Sequence, residues 1–403
     1  MIYVGIDVAK DKHDCHIVRE NGEILLDNFS FPNSKEGFDR LDGILRQTSE
    51  KIKDEIKIGL EYTGHYSQNL LAHLKEEKYE VIALNPLQVN LYRKTKSFRN
   101  TKTDKSDARF IAKVTAETEI TPKKNGLRHI ATMKSLSRYR YRLLKTIQSL
   151  KNRYRRVLEI VFPEFEHLFN LRNMSTVDVL AKYSSPREIL SAGKDSLERN
   201  LNKLSHGHYG KKADELLQAA EDSIGTTNLS DAFELKHLAK QISFLSKELE
   251  ILEDKLASLL GKTNTPILSI PGIGVATGAA ILSEIGNIKN FDNPAKLLAF
   301  AGCEPAVYQS GKFLLPHGSM VKNGSKYLRN AIFQATKAAY VSDPFMRAYV
   351  NKKREEGKHF FVALTHGMKK MTRIIFAVLR SGKPYTPPRI LAEDAEKEYI
   401  PLT

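Results

Sequence analysis

The chain has 403 residues, which at about 150 residues per domain predicts two or three domains. Its 63 Lys and Arg outnumber 47 Asp and Glu to leave a formal charge of +16, while 41% hydrophobic content supplies real cores and excludes a disordered polycation. No run approaches the roughly 18 apolar residues of a membrane span, the opening Met1-Ile2-Tyr3-Val4-Gly5-Ile6-Asp7 shows no basic leader, and two cysteines cannot make a disulfide framework; the expectation is a soluble, cytoplasmic protein with a polyanionic partner.

Ile2–Val8 reads as a first strand ending in an acid. Residues 13–19 alternate as a second strand, Asn21-Gly22 is a hairpin turn, and residues 23–31 make the third. A helix capped by Ser34 runs to about Lys51, residues 57–61 form a fourth strand closed by Thr63-Gly64, and a helix through Leu70, Leu71 and Leu74 leads to a strand at 81–84, stopped by Asn85-Pro86. Three strands joined by a hairpin, then helix–strand–helix–strand, predict an α/β layer with a mixed sheet.

The positive charge is concentrated. Between positions 93 and 156, twenty basic residues face only Asp104, Asp107, Glu117 and Glu119, with Tyr92, Tyr139, Tyr141 and Tyr154 interleaved. Such a run is either a solvated helix face or a phosphate track, and the aromatics favour the track. Arg99, Lys102, Lys105, Arg109, Arg138, Arg142, Lys145, Arg153 and Arg156 are its candidate contacts.

Leu136, Tyr139, Leu143, Ile147, Leu150, Tyr154, Val157 and Val161 mark one long basic helix ended by Pro163. Leu235, Leu238, Ile242, Leu245, Leu249, Leu252, Leu256 and Leu259 step by alternating threes and fours, an unbroken heptad seam. Two helices of one antiparallel hairpin, or a coiled coil between protomers, fit this seam equally. Residues 163–227 read as short helices with caps such as Ser185-Pro186, without assignable chemistry. Pro271-Gly272-Ile273-Gly274 then feeds the small-residue helix Val275–Ile285. It resembles the helix-hairpin-helix element that grips DNA backbones through Gly272 and Gly274, or it is a tight connection that needs glycine for sterics. A basic helical tail spans residues 331–379.

Four acids attract attention together. Asp7 and Glu61 end strands, while Asp104 and Asp107 sit at i and i+3 on one helix face. Convergent carboxylates repel unless divalent cations occupy the gap, and two Mg²⁺ or Mn²⁺ ions held this way promote in-line phosphoryl displacement.

The motifs Tyr3-Val4-Gly5-Ile6-Asp7-Val8-Ala9-Lys10, Glu61-Tyr62-Thr63-Gly64-His65-Tyr66, Asn85-Pro86 and Thr103-Asp104-Lys105-Ser106-Asp107-Ala108-Arg109 resemble the insertion-sequence transposases with a RuvC-like DEDD domain. The resemblance covers about residues 1–115 and resumes at 264–385. It implies a ribonuclease-H-like domain (1–130) with metal ligands Asp7, Glu61, Asp104 and Asp107. A helical coiled-coil region (131–262) follows, then a mainly α transposase domain (263–403). In the second domain, Tyr308-Gln309-Ser310-Gly311-Lys312 matches the family's nucleophilic serine at Ser310, with Lys312, Lys322, Lys326 and Arg329 placed to activate it or neutralise phosphate. The resemblance further implies DNA (element ends and target) as substrate, a non-coding guide RNA, and a dimer or tetramer. Cys303 and His317 are too few for zinc. A resolvase acting by water alone, a sugar kinase sharing the Gly-Ile-Asp strand, and a non-catalytic nucleic-acid-binding protein are the competing readings.

Overall fold

Ile2, Val4, Ile6 and Val8 alternate with Tyr3, Gly5 and Asp7, and this period of two makes β1 (Ile2–Val8) a strand with both faces committed. It pairs antiparallel with β2 (Lys12–Arg19), which pairs antiparallel with β3 (Ile24–Pro32). On its other side it pairs parallel with β4 (Ile56–Glu61), itself parallel to β5 (Glu80–Leu84). The order β3-β2-β1-β4-β5 is the mixed five-stranded sheet expected from the sequence, and is compatible with a ribonuclease-H-like fold. The computed structural model describes residues 1–61, 65–84, 89, 92, 104–117, 128–226, 228–304, 309–310, 313–314 and 320–387, with backbone alone at 104–106, 128, 309–310 and 313–314. Thr63-Gly64, Asn85-Pro86, Arg99, Lys102, Lys312 and His317 lie outside the described residues. The chain divides into two units, residues 1–125 and 126–403.

In the first unit, Ile2, Val4, Ile6, Cys15, Ile17, Ile58 and Leu60 meet Leu41 and Leu45 of α1 (Lys35–Ile52) and Leu70 and Leu74 of α2 (Ser67–Glu76). Each fully buried side chain of this kind contributes about 1.5–3 kcal/mol. Ser34 caps α1 by accepting from the Gly37 amide at 3.2 Å, as its position before the apolar period anticipates. The opposite face takes α3 (Asp104–Glu117). It seats close because β1 and β4 present glycines there: a Cβ at Gly5 would lie 2.1 Å from the Ala108 carbonyl oxygen, and one at Gly59 would collide with Thr115 Oγ1.

In the second unit the 34-residue basic helix α4 (Arg128–Val161), about 50 Å long, pairs with a helix of similar length. Between them lie the five short helices α5 (Phe165–Leu168), α6 (Met174–Lys182), α7 (Pro186–Ala192), α8 (Lys194–Leu204) and α9 (Ala213–Glu221). The partner is α10 (Leu229–Gly261). Leu256 and Leu259 pack with Met133, Leu252 with Leu143 and Ile147, and Leu235, Leu238 and Ile242 with Tyr154, Val157 and Val161. The pairing is therefore antiparallel and within one chain: the leucine seam is covered by α4, as in the hairpin reading. Tyr154 is 1% exposed in this core, so of the interleaved tyrosines it serves the apolar seam and not the phosphate track.

The C-terminal core joins α11 (Val275–Ile285), α12 (Pro294–Ala301), α13 (Lys326–Ser342), α14 (Pro344–Glu355) and α15 (Phe360–Ser381). Between α12 and α13, β6 (Gln309–Ser310) and β7 (Phe313–Leu314) pair antiparallel with Ser310 opposite Phe313. Asp343 interrupts the basic tail by accepting from the Phe345 and Met346 amides, with Pro344 at the first position of α14. No helix among the described residues is long and apolar enough to cross a membrane.

Candidate functional site

Strand register decides which acids share a neighbourhood. β1 and β4 run parallel from Ile2 opposite Ile56 to Ile6 opposite Leu60, so the next step sets Asp7 beside Glu61 at the ends of adjacent strands. Both follow a glycine by two residues, Gly5 and Gly59, and so point to the face on which α3 lies. Asp107 is 3% exposed on that helix, one residue before the Ala108 carbonyl that rests on Gly5. Asp104 opens the same helix. Asp7 and Glu61 thus lie on the sheet face that this helix covers, Asp107 is buried on the helix, and Asp104 is described by backbone alone. All-oxygen ligands suit Mg²⁺ or Mn²⁺. Among the described residues no three acid, His or Cys side chains already stand close enough to cage an ion.

A further carboxylate, missed in the sequence, belongs to this row. Asp14 of β2 is directly opposite Asp7, 3% exposed, accepts from Ser30 Oγ and lies 3.4 Å from Lys12 Nζ. The signal was present in the hairpin register, since antiparallel partners share a face. On the same face His16 Nδ1 is 3.1 Å from Asp27 Oδ1, and Arg109 donates to both Asp27 oxygens through Nε and Nη2. That guanidinium, first among the causes, holds the Asp27 carboxyl below the usual range, while burial lowers the His16 imidazole. Arg109, selected as a phosphate contact, ties α3 to β3 through Asp27.

The basic helix divides in the same way. Arg138 forks onto Glu284 at 2.5 and 3.1 Å, and Arg153 donates to Glu234 at 2.6 Å. Arg142, Lys145 and Arg156 are exposed and make no ion pair among the described residues. Their spacing brings them to one helix face. Gly272, at φ +83°, is explained by packing: a Cβ there would lie 2.4 Å from the Ala335 carbonyl oxygen and the Ala339 amide nitrogen. Gly274 is the residue before α11 and has open space where a Cβ would point. Lys322 and Lys326 are exposed on the chain after β7, whereas Arg329 donates to the Ala301 carbonyl at 3.0 Å. Ser310 is described by backbone alone, as is Lys105. Burial pushes the Cys303 thiol up to about 11 and that of Cys15 to about 12, which removes both as nucleophiles.

A family model described as a transposase, of the IS110 DEDD type, matches residues 4–163, and a second, described as the transposase IS116/IS110/IS902 family, matches residues 264–351. The chain is 25% identical, over 95% of each sequence, to the insertion element IS110 uncharacterized 43.6 kDa protein of Streptomyces coelicolor. It is 24% identical to the pilin gene-inverting protein of Moraxella bovis over 95% of this chain and 97% of that one. The mini-circle putative transposase for IS117, also of Streptomyces coelicolor, is 24% identical over 97% of both. These matches define a DNA-rearranging enzyme. The chain belongs to the IS110 family of DEDD transposases.

Proposed function

We propose that the protein cuts and rejoins DNA strands at the ends of an insertion sequence, using Asp7, Glu61, Asp104 and Asp107 as a divalent-metal site and Ser310 as nucleophile. The observation that carries the reading is the β1–β4 register, with Asp7 and Glu61 side by side on the α3 face. Mg²⁺ or Mn²⁺ bound there would supply charge neutralisation for phosphoryl transfer. Asp7 and Glu61 would orient it from the sheet, Asp104 and Asp107 from the helix.

In the second unit, Ser310 Oγ attacks the phosphorus of a phosphodiester. One Oγ–P bond forms, one P–O bond to the departing sugar breaks, and the serine proton ends on that sugar oxygen. The serine ester retains the phosphodiester energy, so the reverse step joins a new strand without ATP. Lys322 and Lys326, exposed on the chain after the serine hairpin, are suited to phosphate charge. Arg142, Lys145 and Arg156 supply a backbone track for DNA or for a structured guide RNA. The family resemblance adds a three-part chain (1–130, 131–262 and 263–403) working as a dimer or tetramer.

The test is incubation with the element's flanking DNA, with and without its non-coding RNA and Mg²⁺, scoring joined products and covalent protein–DNA adducts. Ser310→Ala is expected to bind DNA and form no adduct. An adduct trapped in Ser310→Ala would refute the serine assignment, and joined products at wild-type rate in Asp7→Asn would refute the metal site.

A further inference from the structure

Among the described residues of the second unit Glu284 is the most enclosed carboxylate, its side chain 1% exposed near the end of α11. An isolated charge there would be costly, and its oxygens are met from two other segments. Arg138 of α4 approaches with Nε at 2.5 Å from Oε1 and Nη2 at 3.1 Å from Oε2, and Lys134 stands 3.8 Å away. The third contributor is Ser325, whose Oγ donates to Oε2 at 2.9 Å. The Arg138 guanidinium also lies over the Tyr327 ring at 4.7 Å, and Tyr141 meets the same ring edge-on at 5.2 Å.

Ser325 is not an incidental partner. Its Oγ caps α13 by accepting from the Leu328 amide, and its own amide donates to the Phe300 carbonyl at 2.8 Å. Just before it, Val321 donates to the Glu304 carbonyl at 2.8 Å, and Gly324 packs so closely on Gly302 that a Cβ would lie 2.3 Å from the Gly302 nitrogen. These contacts tie together the described residues on either side of the segment that carries Ser310.

We propose that Glu284 is a positioning residue: with Arg138 and Ser325 it latches the residues flanking the serine-bearing segment to the basic helix α4. The proposal rests on the reading of Ser310 as nucleophile. A buried ion pair contributes little net stability compared with apolar side chains of equal volume, but it specifies geometry. Here it specifies how Ser325, which follows the serine-bearing segment, is held against the basic helix. A displacement of about 1 Å at a reacting group costs about 10²-fold in rate.

The experiment uses the full chain and three readouts: melting temperature, amide exchange at Val321 and Ser325, and the rate of the covalent DNA adduct. In Glu284→Met/Arg138→Met, apolar replacement keeps the melting temperature near that of wild type. Exchange at both amides is expected to quicken by at least ~10-fold, and adduct formation to fall by about 10²-fold, with DNA affinity changed less than ~3-fold. Wild-type exchange and adduct rates in a double variant that melts normally overturn the latch, because a purely structural pair recovers everything with stability. If the double variant does not fold, Glu284→Gln, which keeps the oxygen acceptor for Ser325 and loses the charge, must still quicken exchange at the two amides, and wild-type exchange overturns the latch. Faster exchange with no adduct from the wild-type protein leaves the latch standing and removes the serine reading. A wild-type adduct absent in Ser310→Ala, with exchange undisturbed in the latch variants, does the reverse.

Discussion

At the scale of single residues, Asp7 has a carboxylate on either side, Glu61 on the next strand and Asp14 directly across from it. An Asp7→Asn side chain keeps the shape and loses the charge, so the rate of strand cutting is expected to fall at least ~10³-fold, about 4 kcal/mol of barrier. Its melting temperature should match wild type, a check that separates chemistry from folding. Two histidines of the same sheet set a pH dependence. Burial holds His13 and His16 below the ordinary imidazole value, with Asp27 opposing the shift at His16. The unfolded chain binds these protons near pH ~6.5 and the folded chain only below it. Stability is therefore complete above about pH 6.5 and declines as pH falls through the folded values. Thermal melts should show a lower midpoint at pH ~5.5 than at ~7.5, with a shallower decline in His13→Leu; an equal decline in that variant would shift the cause to the carboxylates.

At the scale of elements, two helices carry the proposed functional groups and each is seated by a detail of its partner. α3 rests on Gly5 and Gly59 and is clamped at Arg109 by Asp27. Gly5→Ala forces a Cβ against the Ala108 carbonyl, and overpacking of this kind costs about 1–3 kcal/mol. Urea unfolding should report that loss, along with weakened Mn²⁺ binding as α3 lifts its two acids away from the sheet. On α4, cations whose charge is spent inside the fold part from those left for a ligand. With about eight phosphates neutralised, the log–log salt slope of DNA binding is expected near −7, and replacing Arg142, Lys145 and Arg156 by Gln should flatten it by about 3. Arg138→Gln should leave that slope unchanged and lower the melting temperature, because it strips the main partner from buried Glu284. A slope shift equal to that of Arg142→Gln would return Arg138 to the nucleic-acid surface.

At the scale of the whole molecule, the carboxylates belong to residues 1–125 and the serine segment to residues 126–403, with family models matching both parts. Much of this was legible in the chain because its signals are local. The alternation around Gly5 marked β1, Ser34 marked the start of α1, and the three-four spacing from Leu235 to Leu259 marked α10. The motifs around Asp7, Glu61, Asp107 and Ser310 carried the family resemblance, which the matching models support. What stayed hidden depends on pairs far apart in sequence. No local pattern tells that Arg138 meets Glu284 across 146 positions or that Arg109 meets Asp27 across 82. Asp14 joined the acidic row only once the β1–β2 register was known, and the leucine seam had two partners on paper until α4 covered it. Periodicity and caps are written in neighbouring side chains, so the sequence alone determined the elements, the charge and the candidate chemistry. Which charges stay available to a ligand is set by what each meets after the chain folds back on itself, and only the tertiary structure decided that.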